Sequence, residues 1–267
     1  MIRKVFKKIY ADYLLLDQFS KFDQLIELAV KEEYQVLSVI QFFDLIKTRG
    51  LEKGGRYLIN RHDVDTDPVT ARKFYDIEKN RGVFSSFYFR LSTLDHGFIR
   101  DIQNYGSEVG YHFEEIATFC KENRVKKKEI VFRQIHEIKK TFVENFKRVS
   151  KDHNLEIRSV SSHGDFVNKK IGILNHYLLD PEIRTQLRIE VETYDTILLD
   201  HVTARHNDDL FPKFKDGNSP IHSIRNNEPV IYLLTHPRDW QCNCRINTIE
   251  NLKRLYEGVK FHMNFER

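Results

Sequence analysis

The sequence predicts an α/β barrel of parallel strands, with the chemistry gathered where the strands end. Three observations carry this. Short apolar runs alternate with segments of helical spacing from Tyr57 onward, the pattern of a parallel sheet with right-handed crossovers. Several of those runs finish in a metal-ligating or acid-base residue: Asp63, His112, His163 and His236. A barrel with a catalytic C-terminal face produces such endings. The length, 267 residues, suits one barrel-sized domain, and no linker, repeat or low-complexity tract divides residues 1–267.

The first fifty residues read as a helical extension packed on the barrel. Phe22, Leu25, Ile26 and Ala29 have helical spacing within Phe19 to Val30. Ser38 to Gln41 matches a capping box, and Phe42, Leu45 and Ile46 continue an apolar stripe. Gly54 and Gly55 then break the chain before the first strand.

That strand is Tyr57-Leu-Ile59, and it leads into Asp63, Asp65 and Asp67. Alternate side chains of an extended chain share a face, so Asp63 and Asp65 point together and His62 and Val64 point away. Asp67 before Pro68 reads instead as an N-cap with Pro at the first helical position. Ala71, Phe74 and Ile77 continue that helix, and Gly82 ends it. Gly82 to Phe89 and Gly106 to His112 read as the next strands, with a short helix from Gly97 to Tyr105 between them. Val131, Ile135, Ile138, Phe142 and Phe146 mark a long helical region. Ile157 to Ser162 is a strand that exits through His163-Gly164-Asp165. Leu187 to Val191 and Ile197 to Leu199 read as two more, and Pro229 to Thr235 as the last. Between them, Val202 to Asn227 shows little periodicity and is expected to be a loop over the site. Ile246 to Tyr256 is a final amphipathic helix.

Arg61-His-Asp-Val-Asp65, Glu108-Val-Gly-Tyr-His112 and Leu234-Thr-His236, in that order, resemble motifs of the polysaccharide deacetylases. These are the NodB-like carbohydrate esterases, and the resemblance is to their divergent branch in surface-polysaccharide biosynthesis. It spans roughly Arg56 to Trp240 and implies a distorted (β/α) barrel of about seven parallel strands. It implies Asp63 as general base, Asp65 and His112 as metal ligands, and His236 as general acid. The family's second metal histidine would stand four residues after His112, where this chain has Ile116, and no Arg-containing third motif is present. The open ligand position has three candidates: His163, Glu114 and Glu115. His163 is preferred because it ends a strand and precedes a glycine; Glu115 is the runner-up.

Removal of an N-acetyl group is amide hydrolysis. It needs an activated water, a polarised carbonyl and a proton for the leaving amine. A divalent metal, Zn2+ by ligand type, supplies the first two. A carboxylate and a histidine on opposite sides handle the protons. The resemblance therefore implies a hydrolase acting on an N-acetylated sugar, nucleotide-linked or lipid-linked, in polysaccharide or glycolipid biosynthesis. Two alternatives stay open: an amidase or imidase acting on another C–N bond, and a glycan-binding relative that has lost its metal. Trp240 fits an aromatic wall for a sugar ring or a structural aromatic at the barrel rim. His206 is a candidate substrate contact, whereas His62, His96 and His201 read as structural or surface histidines.

Composition excludes several classes. Hydrophobic residues are 40% and charged residues 31%, which describes a globular chain with a solvated surface. The 43 basic and 39 acidic residues leave a net charge of only +4, too little to imply nucleic-acid binding. No apolar run reaches the roughly 18 residues of a spanning helix, and the N-terminus has no signal-peptide core. The expected location is the cytoplasm. Cys120, Cys242 and Cys244 are read as reduced thiols, since one Cys-x-Cys pair is a poor zinc signature.

Overall fold

The computed structural model describes residues 2–208 and 219–262. Its centre is a parallel sheet. The strands are β1 (Gln35–Leu37), β2 (Tyr57–Val64), β3 (Ser86–Phe89), β4 (Glu108–Phe113), β5 (Ser159–Ser162), β6 (Val191–Glu192), β7 (Ala204–Asn207) and β8 (Val230–Thr235). Their order is β6-β5-β4-β3-β2-β8-β7, and β1 adds to β2. Every pairing is parallel. This is the distorted barrel expected, with one more strand than the seven.

β2 lies inside the sheet between β3 and β8, and all eight of its residues are buried. A strand covered on both faces has this character. Tyr57 and Ile59 point inward and pack with Tyr88, Val191, Val230 and Tyr232 of other strands. That shared interior, with Tyr232 Oη donating to the Thr193 carbonyl at 3.1 Å, shows that the sheet curls back on itself. Leu58 and Val64 point outward into a larger core under the helices. β1 pairs with residues 57–59 of β2 and β3 with residues 61–64, so the two share one edge. Gly110, on the inner face of β4, is required by close approach: a Cβ there would lie 2.4 Å from the Tyr88 ring.

The capping predictions hold in detail. Ser38 Oγ accepts from the Gln41 N–H, and Gln41 Oε1 accepts from the Ser38 N–H. Asp67 accepts from the Thr70 N–H, Pro68 opens the helix Pro68–Arg81, and Gly82 closes it at φ 69°.

Four readings need correction. The first fifty residues hold three helices, Ile2–Tyr13, Phe19–Lys31 and Val39–Thr48, and also β1, so this segment builds part of the sheet as well as covering it. Leu187 ends the helix Pro181–Leu187, which leaves only two residues for β6. Ile197 to Leu199 is a helical turn within Thr196–Leu199, because Asp195 accepts the backbone N–H groups of Leu198 and Leu199 through its carbonyl. Val202 to Asn227 is not all loop: it contains β7 and the helix Pro220–Arg225, while residues 209–218 of it lie outside the described residues.

Candidate metal and acid-base site

Strand alternation builds the site. On β2 the inward positions are Tyr57, Ile59, Arg61 and Asp63, so the last two set polar groups at the rim above an apolar interior. His112 takes the matching inward position on β4, beside Ser161 of β5. His163 follows β5 directly, and His236 follows β8. Asp65 sits in the turn after β2, its N–H bonded to the Asp63 carbonyl at 3.0 Å. The side chains of Asp63, Asp65, His112 and His163 come together. His112 Nε2 is 3.1 Å from Asp65 Oδ1 and 3.5 Å from Asp63 Oδ2. His163 Nε2 is 3.7 Å from Asp65 Oδ1. His236, at the end of the neighbouring strand β8, is held by Asp208 on the same rim.

Asp65, His112 and His163 fit a cation. One ligand atom from each lies within 4.8 Å of the others. Bonds of about 2.1 Å to a tetrahedral ion imply ligand atoms ~3.4 Å apart, and the two Asp65 distances above bracket that value. Asp65 Oδ1 is buried without a hydrogen bond, although two imidazoles face it. An orphaned buried carboxylate oxygen is costly unless an ion completes it. Both rings are braced from behind. His112 Nδ1 donates to the Ser161 carbonyl at 3.0 Å, which leaves the Nε2 lone pair facing the cluster. His163 Nδ1 faces Glu114 Oε2 at 3.3 Å. Glu114 is clamped by Arg90 at 2.5 and 2.8 Å, and Arg90 also donates to the Asp65 carbonyl at 3.0 Å.

The electrostatics follow from these neighbours. Burial disfavours a charged His163, but Asp65 and Glu114 outweigh it and lift the imidazole to about 9. Burial raises Glu114, yet His163 and Arg90 hold it at about 2. Burial likewise raises Asp65, and its two histidine neighbours keep it well below the usual carboxylate range.

Arg61 and Asp208 hold Asp63 and His236 in place. The Arg61 guanidinium grips both oxygens of Asp63, at 2.8 and 2.6 Å, and also reaches Ser161, Tyr194 and Tyr232. Burial raises Asp63, but Arg61 and then His112 hold its pKa below the ordinary value. Asp208, just after β7, accepts from the His236 N–H at 2.7 Å and faces His236 Nδ1 at 2.8 Å. Burial disfavours a charged His236; Asp208 overrides this and lifts it to about 10.

Three sequence candidates fall outside the site. Glu115 hydrogen-bonds Tyr111 Oη at 2.5 Å and Asn145 Nδ2 at 3.0 Å, beneath the helix Glu115–Asn123 rather than in the cluster. Trp240 is fully buried, its ring enclosed by Phe19, Phe22 and Phe74 and its Nε1–H given to Asp208 at 2.8 Å. It offers no surface to a sugar, and the structural reading of it holds. His206 is buried with Nε2 2.8 Å from Ser223 Oγ, facing the helix Pro220–Arg225. His62 is structural too, bonded on the outer face to Glu78 and Thr235 at 2.6 Å each. Ile116, at the family's second histidine position, is core.

Sequence reasoning missed Arg61, Arg90 and Asp208. For Arg61 the signal was present: the alternation that pairs Asp63 with Asp65 also puts Arg61 on their face. Arg90 and Asp208 come from strands remote in sequence and carry no local sign.

No protein-family model matches the chain, and no curated protein matches it. Two solved structures resemble it. One is the Streptococcus pyogenes deacetylase PplD in complex with acetate: 11% identity, TM-score 0.47, covering 86% of this chain and 88% of that one. The other is the peptidoglycan deacetylase PdaC from Bacillus subtilis: 13% identity, TM-score 0.36, covering 79% of this chain and all 100% of that one.

Proposed function

We propose that the protein is a metal-dependent hydrolase that removes an N-acetyl group from a sugar in surface-polysaccharide or glycolipid biosynthesis. The observation that carries the reading is the meeting of three metal-type ligands with a clamped carboxylate and a clamped histidine at one rim. Asp65, His112 and His163 would hold a divalent cation, Zn2+ by ligand type. That ion supplies Lewis-acid polarisation of the acetyl carbonyl and a more acidic water.

The protein's own groups then manage protons and orientation. Asp63 stays ionised across the neutral range and accepts a proton at a carboxylate oxygen. Arg61 fixes the plane of that carboxylate, since a bidentate fork permits one orientation. His236 carries a proton at neutral pH because of Asp208, and it releases that proton to the leaving amine. Its Nδ1 is committed to Asp208, so Nε2 is the donating atom. With His163 in the third ligand position, the isoleucine at residue 116 is no ground for a relative that has lost its metal.

The test is metal content beside turnover. The purified protein should hold about one divalent ion per chain, release acetate from N-acetylated sugars, lose that activity on chelation and regain it with Zn2+. Retained activity after exhaustive chelation would refute the reading.

A further inference from the structure

The two terminal helices expose an apolar face that the chemistry above does not use. Ile2–Tyr13 and Cys244–His262 pack on one another. Asp12 joins them: its carbonyl accepts from Asn247 Nδ2 at 2.8 Å and its carboxylate from Arg238 Nη2 at 2.8 Å. On the second helix, Ile249, Leu252, Tyr256 and Val259 recur at three and four residues, with Leu255 beside them, and all are exposed. On the first, Phe6, Ile9 and Tyr13 recur in the same way. Phe6 is 68% exposed, Leu252 61%, Leu255 64% and Tyr256 68%. A soluble monomer rarely leaves so many large apolar groups together in water.

Charge indicates what covers them. The first helix holds Arg3, Lys4, Lys7 and Lys8 against Asp12, and the second holds Arg245, Lys253, Arg254 and Lys260 against Glu250 and Glu257. Together they are net +5 in a chain of net +4, so all the rest of the protein is net −1. Lys8 is paired with Asp12, Lys253 with Glu250 and Lys121 with Glu257, which leaves Arg245, Arg254 and Lys260 of the second helix to set the outward charge. An apolar helix face rimmed by Lys and Arg is complementary to an anionic bilayer surface. A second copy of this face would bring like charge against like.

We propose that the two terminal helices dock this protein on an anionic lipid surface, lying in the interface without crossing it. No described helix is long and apolar enough to cross. Docking also orients the site. Glu250, Lys253, Arg254 and Glu257 occupy a neighbouring face of the second helix and line a cleft of about 310 Å³ that contains Asp65 and His163. Lys253, Tyr256 and Lys260 line an adjoining cleft of about 450 Å³. The rim of the barrel therefore opens beside the docked face. Resting on the deacetylase reading, this points to a sugar carried on a lipid rather than on a nucleotide.

The full chain is to be sedimented with vesicles of phosphatidylcholine alone and of phosphatidylcholine mixed with phosphatidylglycerol. It is expected to follow the mixed vesicles, to be released by added salt, and to ignore the neutral ones. Leu252→Glu with Leu255→Glu should cut the bound fraction by about tenfold or more. Both positions are exposed, so thermal unfolding and turnover of a soluble N-acetyl sugar should stay as in the parent. Absence from both pellets, or equal binding to both vesicles, overturns the proposal. So does a dimer in sedimentation velocity that the same double variant abolishes, if no vesicle binding accompanies it. Vesicle binding without hydrolysis of any N-acetyl sugar keeps this inference and removes the deacetylase reading; hydrolysis without vesicle binding does the reverse.

Discussion

Arg61 and Asp63, two residues apart on one strand, form a fully enclosed bidentate ion pair at 2.8 and 2.6 Å. Strand alternation puts both on the inner face, so the fork costs no loop and no second strand. The pair fixes a carboxylate at the barrel rim and keeps it ionised. Arg61→Met leaves that carboxylate buried without its partner, which typically costs about 3–5 kcal/mol. The Asp63 pKa, now lowered, should then rise. A carboxyl depressed in the folded state contributes stability above its unfolded value near 3.8, and that contribution fades as pH falls through the folded value. Arg61→Met should therefore flatten the acid side of the stability profile and move the acid limb of the rate profile upward. Urea melts and kcat/KM measured across pH 4 to 8 check both; an unchanged acid limb would mean that Arg61 does not govern Asp63.

The two first-motif acids should separate in metal content. Asp65→Asn replaces the orphaned oxygen that faces both imidazoles, so the ion should bind far more weakly. Asp63→Asn leaves those three ligands in place and removes the proton acceptor, a loss worth about a hundred- to ten-thousand-fold in rate. Metal analysis beside turnover distinguishes them. Metal lost from Asp63→Asn and kept by Asp65→Asn would exchange the two roles.

Trp240→Ala should lower stability and leave the KM for sugar as in the parent. The ring has no exposure and touches three phenylalanines, so its removal should cost about 3–5 kcal/mol. Trp240→Phe keeps an aromatic ring against the three phenylalanines but loses the Nε1–H donated to Asp208 and part of the ring volume, so it should cost less stability than Trp240→Ala. Its KM for sugar should match the parent's, because no face of the ring is open to substrate. A large rise in KM with stability unchanged would restore the sugar-wall role.

Much of the fold was readable because the signals were local. The β2 pattern, the Asp67-Pro68 cap, the Ser38 capping box and the Asp or His after each long strand depend on a few adjacent residues. The failures were those where tertiary contact decides. Ile197 to Leu199 looks like a strand but is one helical turn, held by the Asp195 carbonyl. β7 was hidden because its residues Arg205, His206 and Asn207 are polar, and only the ladder to β8 makes them a strand. The site split in the same way. Asp63, Asp65, His112 and His163 come together as their strand ends suggest, and His236 ends the adjacent strand on the same rim. Glu115 is one residue from the family position, yet strand and helix geometry turn it under the helix toward Asn145. Arg90 and Asp208 reach the site from distant segments, and only folding reveals them.

Asp208 and His236 give the sharpest pH test. His236 is still 31% exposed at its side chain, but Asp208 at 2.8 Å, aided by Asp65 and Asp63, holds its proton up to about 10. An ordinary histidine would release it near 6.5. A raised histidine contributes stability that is complete below about 6.5 and is lost as pH climbs through about 10. The same proton is the one the leaving amine needs. The parent should therefore hold its proton-donor limb on the alkaline side, well above neutrality. Asp208→Asn keeps a hydrogen-bond acceptor beside Nδ1 and removes the charge, so that limb should move down toward 6.5. At pH 6 the variant should run close to the parent rate, and the gap should widen with every step to pH 9. The measurement is kcat/KM across that range for both proteins. Parallel curves, offset by a constant factor, would mean that Asp208 positions the ring without setting its proton.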